Sequence, residues 1–356
     1  MEQKALPIVD SHLDLAEDVT LFGYDMTRSV AERRAGEKRT TSQAAVSLPE
    51  LERGGIAVVF ATVTAGFTPD DVKGNASLAH TVYHTPEQAE AQALSQVALY
   101  EKWEKEGRVR IVKSVNDLRD HLQLWREDRK PGLVMLMEGA DPIVRVRELP
   151  RWRERGLRMI GLTYGDTRYG TGVGSGRAAF RRGGLTPEGI DLLHGMAEQG
   201  FIWDISHLAE EGIWQGLDLG FPRVCASHAT ARALIPTDRH LTDAVIRAVA
   251  ERNGVIGAIL YNAFLEPRWR QDKRIPVTLD RQLREHLSYI AGVSGWNHVG
   301  IGSDLDGGFG LEESPAEIDT IADLYKVGAV VPAEAKDRVL STNWLDFLFR
   351  CLPPTS

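Results

Sequence analysis

Ile8-Val9-Asp10-Ser11-His12-Leu13-Asp14 is the stretch on which the reading of this chain turns: an apolar run close to the N-terminus that ends in His-x-Asp. Side chains alternate faces along a strand, so His12 and Asp14 point the same way and set an imidazole beside a carboxylate, half of a metal site. One such triplet is weak evidence of chemistry. It gains meaning because the same grammar, an apolar strand closing on a ligand-type side chain, recurs down the chain.

Working outward, eight short apolar runs predict core strands: Ile8–Asp10, Val58–Thr64, Leu133–Met137, Met159–Thr163, Ile202–Ser206, Val224–Ser227, Val255–Leu260 and Val299–Ser303. A ninth, Val109–Val112, is flanked by charge and predicts a peripheral strand. Between them the apolar positions fall at three- and four-residue spacing, predicting helices over Pro86–Glu106, Pro187–Gln199, Glu210–Leu219, Asp243–Arg252 and Leu279–Ala291. Thr186 and Thr242 stand where N-caps belong, and Gly200, Gly220 and Gly254 where left-handed helix stops belong. Eight strands alternating with helices predict one α/β domain over residues 1–356, a (β/α)8 TIM barrel. No Gly-x-Gly-x-x-Gly joins a strand to a helix, so the dinucleotide fingerprint is missing.

Composition narrows the function. The 356 residues are 43% hydrophobic with no run of about 18 apolar residues, and Met1–Pro7 lacks the pattern of a secretion signal, so a cytoplasmic protein without a membrane partner is expected. The formal net charge of −8 argues against a nucleic-acid partner. The densest basic stretch, Arg33–Arg39, is broken by Glu37 and reads as a solvated loop. Two cysteines, Cys225 and Cys351, are too few for a disulfide framework and read as inert thiols.

A barrel gathers the C-terminal ends of its strands into one mouth. Those ends carry His12 and Asp14, Glu138, Tyr164, His207, His228 and Asp304. Nitrogen and oxygen donors without thiolate suit catalytic zinc. Five protein ligands exceed the need of one tetrahedral ion with an open position but suit two ions sharing a carboxylate, and Glu138 is the natural bridge. Such a pair lowers the pKa of bound water toward neutrality.

At these residues the chain resembles the membrane dipeptidase (renal dipeptidase) family of amidohydrolase-type metal-dependent barrels. The resemblance runs through Asp10-Ser11-His12-Leu13-Asp14, Glu138-Gly139, Gly183–Pro187, Asp204–His207, Ser227–Arg232, Arg239–Asp243 and His298–Gly307. It implies that His12 and Asp14 bind one zinc, that His207 and His228 bind the other, and that Glu138 bridges. It also implies that Arg239 holds a substrate carboxylate and that an aspartate beside the metals serves as acid/base. Spacing leaves Asp304 and Asp306 both open for that last role; Asp304 is preferred because it directly follows the apolar strand. Tyr164 stands where the family's dipeptidases carry a histidine after Leu-Thr, and Gly139-Ala140-Asp141 departs from a Gly-Gly-His run. Tyr164 is expected to face the metals as a catalytic and substrate-binding hydrogen-bond donor.

The expected activity is that of a binuclear zinc dipeptidase acting on a small peptide with a free C-terminal carboxylate, a D-residue at that end being tolerated in the family. A homodimer is expected on the same basis. A related amide or lactone hydrolase and a metal-binding barrel without catalysis are the alternatives. His80, His84, His121, His194, His286 and His298 receive no chemistry, and His240 reads as a solvated loop side chain. Trp296 and Trp344 read as packing residues, and the acidic residues around Gly307, Gly308 and Gly310 argue against a phosphate cradle.

Overall fold

The computed structural model describes residues 6–37, 43–68, 76–174 and 182–355. Its strands are β1 (Ile8–Leu13), β2 (Ile56–Thr64), β3 (Arg110–Ile111), β4 (Gly132–Glu138), β5 (Leu157–Gly161), β6 (Ile202–Asp204), β7 (Val224–Cys225), β8 (Ile256–Ala258) and β9 (Val299–Ile301). All eight expected core strands are present. The ninth is peripheral as expected: β3 pairs with the foot of β4, below the point where β5 begins opposite Met135.

Every pairing is parallel, in the order β1-β2-β4-β5-β6-β7, with β8 beside β9. Two short seams complete the (β/α)8 barrel. One is a parallel bridge from Ala226 to Ile256, extended by Ala229 N–H donating to Gly257 O at 2.7 Å. At the other, between β9 and β1, Asp304 N–H donates to His12 O at 3.2 Å and Ser11 Oγ donates to Ile301 O at 2.8 Å. Helices cover the outer face, which is why β2 and β4 are buried along their whole length and read as unbroken apolar runs.

The helices begin where the sequence predicts. Thr186 accepts from Gly189 N–H and Thr242 from Val245 N–H, each satisfying an otherwise orphaned donor of the first turn. Gly200 and Gly220 take the left-handed conformation, but Gly254 does not: Asn253 does, at φ 55°. Gly254 is held to glycine by space instead, since a Cβ there would come 2.4 Å from Val224 O. The Leu279 helix opens with a wide turn, Leu279–Leu283, before continuing as Arg284–Ser294.

The basic stretch is not a solvated loop. Val30–Gly36 is a helix with a Ser29 capping box, and Arg33 is fully buried, ion-paired with Glu37 at 2.8 Å, Asp306 at 3.4 Å and Asp18 at 3.5 Å and donating to Val46 O. Lys38 and Arg39 lie outside the described residues. No helix of the described residues is long and apolar enough to cross a membrane.

Beneath the mouth the barrel is pinched. A Cβ on Gly302 would lie 1.8 Å from Ser227 O and 2.7 Å from Ser11 Oγ; one on Gly257 would lie 2.1 Å from the same carbonyl. Gly302→Ala is therefore expected to destabilise the protein by about 2–3 kcal/mol through overpacking. Gly292→Ala, at a helical position with nothing within 4 Å, is expected to stabilise it by about 0.4–1 kcal/mol. Denaturant midpoints of the two variants moving in the same direction would refute this account of the pinch.

Candidate metal centre

The strand ends place three imidazoles around one carboxylate oxygen. His12 Nε2, His207 Nε2 and His228 Nε2 lie 3.4, 3.1 and 3.6 Å from Glu138 Oε1, and His12 Nε2 lies 3.8 Å from Asp14 Oδ1. All five residues are buried. Asp14 stands between β1 and the helix Leu15–Thr20; its side chain makes no capping bond to that helix and accepts from Thr62 Oγ1 at 2.5 Å.

Hydrogen bonds on the far side of each ring decide which nitrogen faces inward. Ser227 Oγ donates to Asp204 Oδ2 at 2.5 Å, so its lone pairs are left to accept from His12 Nδ1 at 3.0 Å and His228 Nδ1 at 2.9 Å. His207 Nδ1 donates to Val173 O at 3.0 Å. Each imidazole thus carries its proton on Nδ1 and turns an Nε2 lone pair to the cavity, the arrangement in which histidine ligates a metal. His12 Nε2 is buried without a hydrogen-bond partner, and the Nε2 atoms of His207 and His228 face each other at 2.8 Å. Two lone pairs at that distance repel unless a cation lies against them.

The carboxylates make the same point. Burial pushes Asp304 and Glu17 well above the ordinary carboxylate range, and neighbouring carboxylates raise both further. Asp14 is raised to about 6 by burial and by Glu138. Burial alone would raise Glu138 as well, but His12 and His207 hold it low; burial lowers His12, yet Glu138, Asp14 and Asp304 outweigh it and lift the imidazole to about 10, so that without a bound cation a proton takes the metal's place on Nε2. Burial, with Arg239 and His12, lowers both His207 and His228. Such a cavity demands positive charge, and two groupings of ligand atoms lie within 4.8 Å of one another: His12, Glu138 and His228, and His12, Asp14 and Asp304. The donor set fits divalent ions.

The structure separates the two aspartates that spacing left equivalent. Asp304 lines the cavity, 4.0 Å from His12 Nε2. Asp306 turns away, accepting from Ala45 N–H at 3.0 Å and Val46 N–H at 3.1 Å and pairing with Arg33. Both residues take left-handed backbone, at φ 58° and 67°, and Gly307 completes the turn where a Cβ would lie 2.0 Å from Asp304 Oδ1.

Arg239 is buried against the histidines and lines the same cavity. It donates to Ser206 O at 2.7 Å, to His228 O at 2.9 Å and to His207 Nε2 at 3.2 Å, and its Nε–H has no partner. Three of its five donors are therefore turned to protein acceptors, and the Nε–H is among those left for a ligand. Tyr164 is half-buried on the cavity wall with its ring 4.8 Å from His207, and burial and the nearby carboxylates keep its phenol neutral. His240 is not solvated: it is fully buried, 2.7 Å from Thr230 Oγ1 and edge-on to Phe264. The remaining wall includes residues that sequence reasoning missed, among them Glu17, Phe67, Tyr261 and Phe309. Glu17 carried a usable signal, because it stands one helical turn after Asp14.

Ser227 is the hinge of the tautomer argument. Ser227→Ala is expected to leave the barrel folded but weaken divalent-metal affinity by roughly 10- to 100-fold, as with other losses of a ligand's supporting hydrogen bond. Competition titration against a chelating indicator, with circular dichroism on the same samples, checks this; unchanged affinity would show that the serine does not orient the rings.

The whole chain has clear relatives. A family model described as membrane dipeptidase (Peptidase family M19) matches residues 2–329. A Klebsiella pneumoniae protein, described as an uncharacterized protein in the pqqA 5′ region, is 32% identical over 251 residues, covering 68% of this chain and 89% of its own. A metallo peptidase from Rhodobacter sphaeroides, solved with a phosphinate mimic of the dipeptide L-Ala-D-Ala, superposes with a TM-score of 0.78 at 23% identity, covering 97% of this chain and 99% of that one. A second solved structure, described as a dipeptidase and metallo peptidase of family M19, gives a TM-score of 0.77 at 24% identity, covering 98% and 99%. With its barrel fold and a family match over nearly its whole length, the chain belongs to the membrane dipeptidase family, the metallopeptidases of family M19.

Proposed function

We propose that this protein hydrolyses dipeptides that end in a free carboxylate, with two zinc ions in the mouth of the barrel. The observation that carries the reading is the convergence of three Nε2 lone pairs on Glu138, with Asp14 beside them and a buried arginine at the same wall. His12 and Asp14 would hold one ion, His207 and His228 the other, and Glu138 would lie between. When bound, the pair supplies a Lewis acid for the scissile carbonyl and water activated near neutral pH.

The chain's own groups do the rest. Arg239 offers its unpaired Nε–H to the substrate's carboxylate, a charge-assisted contact in a dry setting. Asp304, held able to keep a proton by burial and by Asp14 and Glu138, hands it to the leaving amine. The Tyr164 hydroxyl donates to the oxygen on which charge develops. The phosphinate mimic of L-Ala-D-Ala in the Rhodobacter relative supports a dipeptide substrate and a D-residue at its C-terminal side.

Turnover of Ala-Ala and Ala-D-Ala by protein of measured metal content tests the reading directly, and none at full occupancy would overturn it. Arg239→Met is expected to raise KM roughly 10- to 100-fold, the loss of a contact worth about 1.5–3 kcal/mol. C-terminal amidation should then harm the wild type far more than the variant. An equal loss in both would remove Arg239 as the anchor.

Tyr164→Phe is expected to keep the metals and the fold and to lower kcat by roughly 100-fold, the scale of one lost oxyanion donor. A kcat within a few-fold of wild type at the same metal content would leave Tyr164 a wall residue and assign the oxyanion to the metals alone.

A further inference from the structure

The cavity holds more carboxylates than a metal pair uses. Asp14 and Glu138 are committed as ligands in the reading above, and Asp304 to the proton. Glu17 remains. It lies in the first turn of the helix that follows Asp14 and lines the cavity, and its side chain makes no hydrogen bond or ion pair among the described residues. The charges that act on it most strongly are Asp14, Glu138, Asp18 and Asp304. Glu17 follows β1, whereas the Arg239 guanidinium is fixed to Ser206 O and His228 O at the ends of β6 and β7, across the barrel from β1 in the strand order; Glu138, reaching His12 on one side and His207 and His228 on the other, lies between them.

That polarity orients a substrate. A dipeptide with its carboxylate on Arg239 and its amide at Glu138 directs its N-terminal residue toward Asp14, Asp304 and Glu17. The α-ammonium lies one carbon from the scissile carbonyl, close to the metals and Asp304. Glu17 is set one helical turn, roughly 5–6 Å between Cβ atoms, beyond the ligand Asp14, a distance that suits the end of a long side chain rather than the α-ammonium. We infer that Glu17 is a specificity-determining residue that receives a cationic side chain, lysine- or arginine-like, on the N-terminal residue of the dipeptide. The inference rests on the dipeptidase reading and names the substrate class within it. A half-buried carboxylate without a side-chain partner among the described residues rewards a cation and rejects an anion, so the residue selects by attraction and by repulsion together.

Lysine and norleucine are close in shape and differ in charge, so Lys-Ala, norleucyl-Ala and Glu-Ala are the probes, with Ala-Ala as the measure of dipeptidase activity itself. Wild-type kcat/KM is expected to favour Lys-Ala over norleucyl-Ala by 10-fold or more and to place Glu-Ala last. In Glu17→Gln the ratio of Lys-Ala to norleucyl-Ala should fall to within about 3-fold, and in Glu17→Lys Glu-Ala should overtake Lys-Ala. Free lysine should also inhibit wild-type Ala-Ala turnover more strongly than norleucine, and that difference should vanish in Glu17→Gln. A wild type that cleaves Ala-Ala but treats Lys-Ala and norleucyl-Ala alike overturns the inference and leaves the dipeptidase reading standing, and it does so even if neither variant folds. A ratio that persists in both variants overturns it as well. A metal-loaded wild type that cleaves none of the four overturns both.

Discussion

One hydroxyl governs this site. Ser227 gives its only proton to Asp204 and so can meet His12 and His228 only as an acceptor, which fixes both imidazoles with their basic nitrogens facing the cavity. Asp204 is able to hold that proton donor because its buried charge is fully met: it accepts from the backbone N–H and hydroxyl of Ser206 and from the backbone N–H and hydroxyl of Ser227. The interaction joins β6 to β7 and carries the ligand of β1 as well. Asp10 repeats the device across the β1–β9 seam, accepting from Ser303 N–H at 2.8 Å and Ser303 Oγ at 2.5 Å. At each of these two seams an aspartate on one strand grips the serine that immediately precedes a cavity-lining residue on its neighbour, and the position of that residue follows.

The loop after β9 shows the complementary constraint. Asp304 and Asp306 are two residues apart in left-handed backbone, and the turn sends one into the cavity and the other outward to the Arg33 cluster. Aspartate tolerates that conformation better than most side chains. The outer carboxylate is satisfied by two backbone N–H groups and a buried guanidinium, so the inner one is held in place by its neighbour's bonds rather than by its own.

Much of this was readable before any coordinates. The strands were visible because parallel strands buried on both faces are apolar throughout, and the side chains that meet at the cavity because each closes such a run. What escaped the sequence depends on which surfaces meet. Arg33 reads as solvated because its partners Asp18 and Asp306 come from remote segments. His240 reads likewise because Thr230 and Phe264 bury it. Asp304 and Asp306 could not be told apart because their difference is a backbone turn, not a composition. Asn253 rather than Gly254 makes the left-handed stop, since glycine there answers a close approach to Val224. The serine before His228 and before Asp304 was a legible signal that spacing arguments passed over.

The pinch beneath the mouth has a consequence for traffic. Gly257 and Gly302 bring their strands so close to Ser227 O that no side chain fits between, and Ser11 and Ser227 in that layer are wholly shielded. Among the described residues the chamber therefore has no exit through the barrel interior, and whatever enters leaves on the side of the mouth. On the proposed reading the fragment held by the fully buried Arg239 sits behind the one beside the half-buried Glu17, and the order of release follows from that shape. An occupant lodged in the doorway would trap a product as readily as it would exclude a substrate.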